Sequence, residues 1–210
     1  MNVSGKENLP KSGPYILAPN HIHNIDPFPL SAAMKKPITY LMAEDQNPLK
    51  WYEAWAPMSY GVLLVNRKKI QPSTIKALHK QIKKNEIVCI FPEGTALSIK
   101  LKEGKNGASF FAARHEIPII PVAMFNTAEI QPTGQVVPKV RRVEMVFGEP
   151  IYFTGDPTDQ GVLRAATNEL MEKIAQLSKQ EYVPDTYASD AKDAIKKSFK
   201  DRTEFDEDDA

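Results

Sequence analysis

Apolar and polar positions fall in blocks that switch between short continuous runs and helical spacings. Tyr15-Ile16-Leu17-Ala18-Pro19 is a short apolar run and predicts a strand. Pro27 to Lys36 predicts a helix opened by Asp26-Pro27, with Asp26 a candidate N-cap. Thr39–Met42 and Gly61–Val65 are further strands, the second closed by Asn66-Arg67-Lys68-Lys69. Between them Trp51 and Trp55 stand four apart, which puts them on one helical face. Ser73 to Lys84 predicts a helix capped by Ser73, with Ile75, Leu78 and Ile82 on its apolar face and lysines over the remainder. Ile87–Phe91 is apolar throughout, as a strand covered on both faces requires. A helix follows Lys105-Asn106-Gly107 and runs through His115. Ile117–Phe125 and Val143–Phe147 are the remaining strands, with Val136–Val140 a further contributor. Thr158 or Asp159 caps a last helix to about Lys179, with Leu163, Ala166, Leu170, Ile174 and Leu177 on its apolar face.

Strands alternating with helices predict an α/β fold, a single-domain sandwich with a largely parallel central sheet flanked by helices, over residues 1–180. Residues 181–210 form a charged tail ending Asp206-Glu207-Asp208-Asp209-Ala210. Beyond a short helix over Ala191–Lys200, this tail is expected to be mobile.

Charge changes the picture more than composition does. A net charge of +1 conceals an asymmetry: residues 1–127 carry 16 Lys+Arg against 9 Asp+Glu, and residues 128–210 carry 11 against 17. The basic half suits an anionic partner, whether a phosphate, an acidic carrier or a membrane surface. No feature points to nucleic acid. The one cysteine, Cys89, lies in an apolar run, which excludes an internal disulfide and reads as a core position. No apolar run approaches the ~20 residues needed to span a bilayer. Membrane contact is therefore expected to be peripheral, through the basic surface and through Trp51 and Trp55, whose neighbours include Tyr52 and Tyr60.

The polar motifs follow apolar runs: His21 the first, Arg67 the third, Glu93 the fourth. Ligands in parallel sheets gather at the carboxyl ends of strands, so these residues can converge on one site. A histidine with an aspartate five residues on can form one hydrogen-bonded pair. The carboxylate then holds one ring nitrogen and leaves the other as a base. That is the orienting half of a serine-protease triad without its nucleophile, suited to taking a proton from a substrate hydroxyl. Glu93 sits on a Pro-Glu-Gly-Thr turn, where Gly94 lets backbone amides face an anion. His21-x-His23 with Asp26 also suggests a metal cluster, but Asp26 comes one residue late for His-x-His-x-Asp-His and no histidine follows it. No metal and no cofactor are expected.

Four blocks occur together: Asn20-His21 with Asp26; Gly61-Val62-Leu63-Leu64-Val65-Asn66-Arg67; Phe91-Pro92-Glu93-Gly94-Thr95; and Ile119-Ile120-Pro121-Val122. With these, the chain resembles the glycerolipid acyltransferases of the 1-acylglycerol-3-phosphate O-acyltransferase type over roughly residues 5–180. The resemblance implies that His21 deprotonates the acceptor hydroxyl, which attacks an acyl thioester, and that Asp26 orients His21. It implies that Arg67 and the backbone near Gly94 hold the acceptor phosphate, that Glu93 positions the glycerol part and that Pro121 shapes the acyl or acceptor pocket. Thr95 and Lys105 complete the substrate-binding set. With the resemblance go an expected donor, acyl-CoA or acyl carrier protein, an expected lysophospholipid acceptor, and an expected cytoplasmic location, peripheral on the inner face of the cell membrane.

The chain departs from the family at two positions. His23 stands where the family usually has serine, and Ala96 where it usually has arginine, which removes one expected phosphate ligand. Lys100, Lys102 or Lys105 could compensate, without arginine's bidentate geometry. Another lysolipid acceptor, or a non-catalytic lipid-binding protein, are the competing readings.

Overall fold

The computed structural model describes residues 1–34, 36–43, 61–66, 71–95, 100–130, 139 and 141–184. Nine strands and four α-helices alternate along them. The strands are β1 (Asn2–Ser4), β2 (Ile16–Pro19), β3 (Ile38–Ala43), β4 (Gly61–Val65), β5 (Ile87–Cys89), β6 (Leu101–Lys102), β7 (Ile119–Phe125), β8 (Glu144–Phe147) and β9 (Tyr182–Val183). The helices are α1 (Pro27–Met34), α2 (Pro72–Lys83), α3 (Gly107–His115) and α4 (Gln160–Ser178). Seven strands form one sheet in the order β1-β8-β7-β2-β5-β3-β4. From β7 to β4 every neighbouring pair is parallel, as the strand–helix alternation predicts. β8 runs antiparallel to β7 and carries β1 parallel to itself, so this end of the sheet is reversed.

The central strands are apolar on both sides because both faces are covered. Ile16, Ala18, Val88 and Ile119 face a core shared with Leu78 and Ile82 of α2, Phe111 and Ala112 of α3, and Leu170, Met171 and Ile174 of α4. Tyr15, Leu17, Cys89, Ile120 and Val122 face the opposite core, closed by Leu30, Ala33 and Met34 of α1. Each fully buried Leu or Ile contributes about 1.5–3 kcal/mol from burial. The alternation in β2 between the two clusters fixes its register, since a one-residue slip would exchange the two faces.

Several boundaries differ from the sequence expectation. α2 begins at Pro72, and its N-cap is Gln71, without a side-chain cap bond; the expected cap, Ser73, instead donates to Gln71 Oε1 at 3.4 Å. Pro72 explains the shift, because its fixed φ favours the first helical turn and it has no N–H to satisfy. Ile75, expected on the buried face, is 38 % exposed, and Thr74 takes the inward position, donating to Leu64 O at 3.2 Å. Asp159 is the cap of α4, accepting from the amides of Gly161 and Val162 at 2.7 and 3.1 Å. β1 has no counterpart in the expected elements: its three residues hold one half-buried apolar side chain, Val3, too little for a pattern. Gly5 allows its close approach, with φ +75° and a site where a Cβ would lie 2.0 Å from Phe147 O. Tyr182–Val183, at the start of the charged tail, pair with β6 as a second, two-stranded sheet. The expected Trp51/Trp55 helix and Ala191–Lys200 helix lie outside the described residues, as does the expected Val136–Val140 strand apart from Lys139.

His79 of α2 and His115 of α3 join their helices, with Nδ1 of the first 3.1 Å from Nε2 of the second. One nitrogen must donate and the other accept, so the contact needs at least one neutral ring. Burial, then the charges of His79, Arg114 and Lys83, lower the pKa of His115 below its usual 6.5. The unfolded chain therefore takes up this proton first, and stability falls as pH drops through about 6.5. The expected result is a thermal midpoint that decreases more steeply from pH 7.5 to 5.5 in wild type than in His115→Gln. Comparing the two separates the pair from Glu93, whose burial raises its carboxyl and works in the opposite sense. Parallel curves for the two proteins would remove the pair from the acid response.

Candidate active site

β2 ends at Pro19, and the pairing with β7 continues for one more residue, where the amide of Asn20 donates to Val122 O at 3.3 Å. The chain then leaves the sheet at its carboxyl end as a loop, residues 21–26, before α1. His21 and Asp26 lie at the two ends of this loop. Nδ1 of His21 is 2.9 Å from Asp26 Oδ2, a distance at which Nδ1–H donates to the carboxylate. The same oxygen accepts from the amides of Ile22 at 2.8 Å and His23 at 3.0 Å. Asp26 is fully buried, and all three of these donors come from the preceding loop. Its carboxylate thus faces back over residues 21–23; as a plain helix cap it would have bonded amides in the first turn of α1.

The His21 ring stacks on Phe91, with centroids 4.1 Å apart and planes inclined by 26°. Its side chain keeps 16 % exposure. The carboxylate fixes Nδ1, the phenyl ring fixes the plane, and Nε2 is left to meet a substrate hydroxyl.

Glu93 arrives from the neighbouring strand, β5, two residues after Phe91. Its Oε1 accepts from the backbone N–H of His21 at 2.9 Å, and its Oε2 from the backbone N–H of Lys102 at 3.1 Å. Burial, to 2 % exposure, pushes its carboxyl above the usual range, and the two amides pull in the opposite sense. The glycerol contact expected of Glu93 thus belongs to a side chain sealed from solvent, with both oxygens turned to protein amides.

Gly94 follows at φ +65°, in the left-handed region that favours glycine. A Cβ here would come within 3.2 Å of Lys105 Cε, so the Lys105 side chain lies alongside this turn. Lys105 is tied in by its own amide, which donates to Pro92 O at 2.9 Å. Thr95 continues the turn, half-buried. The structure thus brings His21, Asp26, Glu93, Gly94, Thr95 and Lys105 to one end of the parallel strands. Pro121 stands apart, paired with Ala18 within the sheet, three residues short of His21 and roughly 10 Å down the strand. Arg67 and Ala96 lie outside the described residues.

Cys89 is fully buried beneath this site, and burial, reinforced by the charge of Asp26, holds its thiol well above the ordinary range. A thiol so disfavoured as thiolate is no nucleophile. Among the described residues, no three His, Cys, Asp or Glu side chains are placed to hold a metal ion. Sequence reasoning gave no role to Asn20, Phe91 or the Lys102 amide. Asn20 and Phe91 stand inside the recognised blocks, but their contacts join segments far apart in the chain.

A family model described as Acyltransferase matches residues 1–125. The 1-acyl-sn-glycerol-3-phosphate acyltransferase of Bacillus subtilis (strain 168) is 28% identical over 181 residues, covering 84% of this chain and 87% of that protein. That of Saccharomyces cerevisiae is 32% identical over 139 residues, covering 62% of this chain and 44% of the yeast protein. The crystal structure of the 1-acyl-sn-glycerophosphate (LPA) acyltransferase PlsC from Thermotoga maritima matches with a TM-score of 0.62 and 20% identity, covering 84% of this chain and 71% of that one. At that identity the likeness establishes the fold, an α/β sandwich built around the same kind of sheet. The family model covers more than half of the chain and includes His21, Asp26 and the Glu93 turn, so this chain belongs to the acyltransferase family.

Proposed function

We propose that this protein transfers a fatty acyl group from an acyl thioester to the free hydroxyl of 1-acylglycerol-3-phosphate, giving phosphatidic acid. The observation that carries the reading is an imidazole held by a buried carboxylate at the carboxyl end of a parallel strand, beside the Gly94 turn. His21 Nε2 takes the proton of the acceptor hydroxyl as its oxygen bonds to the thioester carbonyl carbon. The tetrahedral adduct then expels the thiolate, which leaves with the proton that His21 had taken. Asp26 keeps the ring oriented and balances the imidazolium charge. No covalent acyl-enzyme is required. Arg67, Thr95, Lys105 and the amides near Gly94 make up the acceptor-phosphate side.

The donor, acyl-CoA or acyl carrier protein, is anionic in either case and suits the basic amino-terminal half. Lys76, Lys80, Lys83 and Lys84 are exposed along α2 and just beyond it. Among the described residues no helix is long and apolar enough to cross a membrane. Peripheral contact with the inner face of the cell membrane, through this basic surface and through Trp51 and Trp55, completes the reading.

The test is acyl transfer from labelled acyl-CoA and acyl carrier protein to lysophosphatidic acid, beside a phosphate-free monoacylglycerol. Transfer that requires the phosphate is the expected result and shows that Ala96 is tolerated. Transfer to the phosphate-free acceptor alone would move the substrate to another lipid. No transfer to either acceptor would overturn the assignment.

A further inference from the structure

The peptide that carries His21 is gripped by two side chains sealed inside the protein. On one side Glu93, at 2 % exposure, accepts from the His21 N–H at 2.9 Å and from the Lys102 N–H at 3.1 Å. On the other, Asn20, at 1 % exposure, closes a two-bond ring with the backbone of Met124: its Oδ1 accepts from Met124 N at 2.7 Å, and its Nδ2 donates to Met124 O at 3.2 Å. The same Nδ2 donates to Gln180 Oε1 at 2.8 Å. Asn20 thus adds a side-chain rung to the β2–β7 ladder where the backbone leaves the sheet. Glu93 then takes the next N–H, which the ladder no longer satisfies. Both side chains are sealed from solvent, and their oxygens and the Asn20 nitrogen are engaged by protein groups.

We propose that Glu93 and Asn20 are positioning residues that act through the backbone of His21, setting where its Nε2 meets the acceptor hydroxyl. Asp26 and Phe91 set the orientation of the ring, and Asn20 and Glu93 set the place of the Cα that carries it. A ring held correctly on a misplaced Cα still misses its proton, and a displacement of about 1 Å can cost ~10²-fold in rate. The inference rests on His21 being the base of the proposed transfer. It reassigns Glu93 from touching the glycerol to holding the catalytic loop.

Glu93→Gln and Asn20→Asp test it, because each keeps shape and removes specific bonds. In Glu93→Gln the new amide faces one of the two backbone N–H groups and loses that contact. Asn20→Asp loses both donors, to Met124 O and to Gln180. The expected kinetic result is a kcat reduced by about 10–10²-fold, with KM for acceptor and donor changed less than about threefold. Glu93→Ala should fall below Glu93→Gln, since it keeps neither acceptor. A substrate ligand would show the opposite split, with acceptor KM raised and kcat kept, and that outcome overturns the proposal. The second readout needs no substrate and stands even if the proposed reaction fails. The His21 Nδ1–H proton resonance should shift in both conservative variants while amide dispersion elsewhere is unchanged. An unmoved resonance in folded variants would overturn the positioning role.

Discussion

His21→Ala is expected to lower turnover by ~10²–10⁴-fold, the ordinary worth of a positioned general base. The substitution removes the group that takes the acceptor proton and leaves the hydroxyl to attack unassisted. It also removes one donor from Asp26 Oδ2, but the Ile22 and His23 amides at 2.8 and 3.0 Å remain to satisfy that buried oxygen. The loss of the stacking contact with Phe91 and of one hydrogen bond to a carboxylate costs about 2–4 kcal/mol, less than the roughly 5–15 kcal/mol that holds an ordinary domain, so the fold should persist. Residual transfer is expected from binding and orientation of the two substrates alone. Steady-state transfer of a labelled acyl group, beside a thermal melt, checks both halves. Near-normal turnover in a folded His21→Ala protein would sink the mechanism.

Replacing Asp26 should be as damaging to turnover, and here the choice of residue separates charge from geometry. All three hydrogen bonds end on one oxygen, Oδ2. Asp26→Asn can place its single carbonyl oxygen there, keep the Ile22 and His23 amides satisfied and preserve the loop. What it loses is the negative charge that stabilises His21 once protonated. The expected result is a drop approaching that of His21→Ala, with a nearly unchanged melting temperature. Asp26→Ala removes the acceptor as well and leaves amides turned inward without a partner, at about 1–3 kcal/mol for each that water cannot reach. It should therefore lose stability in addition to turnover. Equal activity for Asp26→Asn and wild type would show that the carboxylate only shapes the loop. A double variant with His21→Ala should add little to the effect of either, because the two act as a unit.

The clustering of these residues follows from the sheet. β2 and β5 are parallel neighbours, paired at Ile16 with Val88 and Leu17 with Cys89. Their carboxyl ends therefore release the His21 loop and the Glu93 turn side by side. His21 and Glu93 are 72 positions apart in the chain, yet one hydrogen bond links them.

What the sequence alone determined was local and periodic. Continuous apolar runs announced the buried strands, and the run at Gly61–Val65 was bounded correctly because both ends carry polar or glycine punctuation. The spacing of His21 and Asp26 was readable as a pair because a separation of five residues confines both to one turn of chain. Tertiary structure alone decided the rest. Nothing in Ile75 distinguishes it from Leu78; only the docking angle of α2 on the sheet leaves one exposed and buries the other. Val3 became part of a strand because β8 offered it a free ladder, and β8 is reversed because it enters the sheet antiparallel to β7. The carboxylate of Glu93 was visible as chemistry, but the direction it faces depends on two amides brought in by β2 and β6. Periodicity records which face of an element avoids water. Hydrogen bonds between distant segments depend on the order of the strands, and that order is set by how the whole core packs.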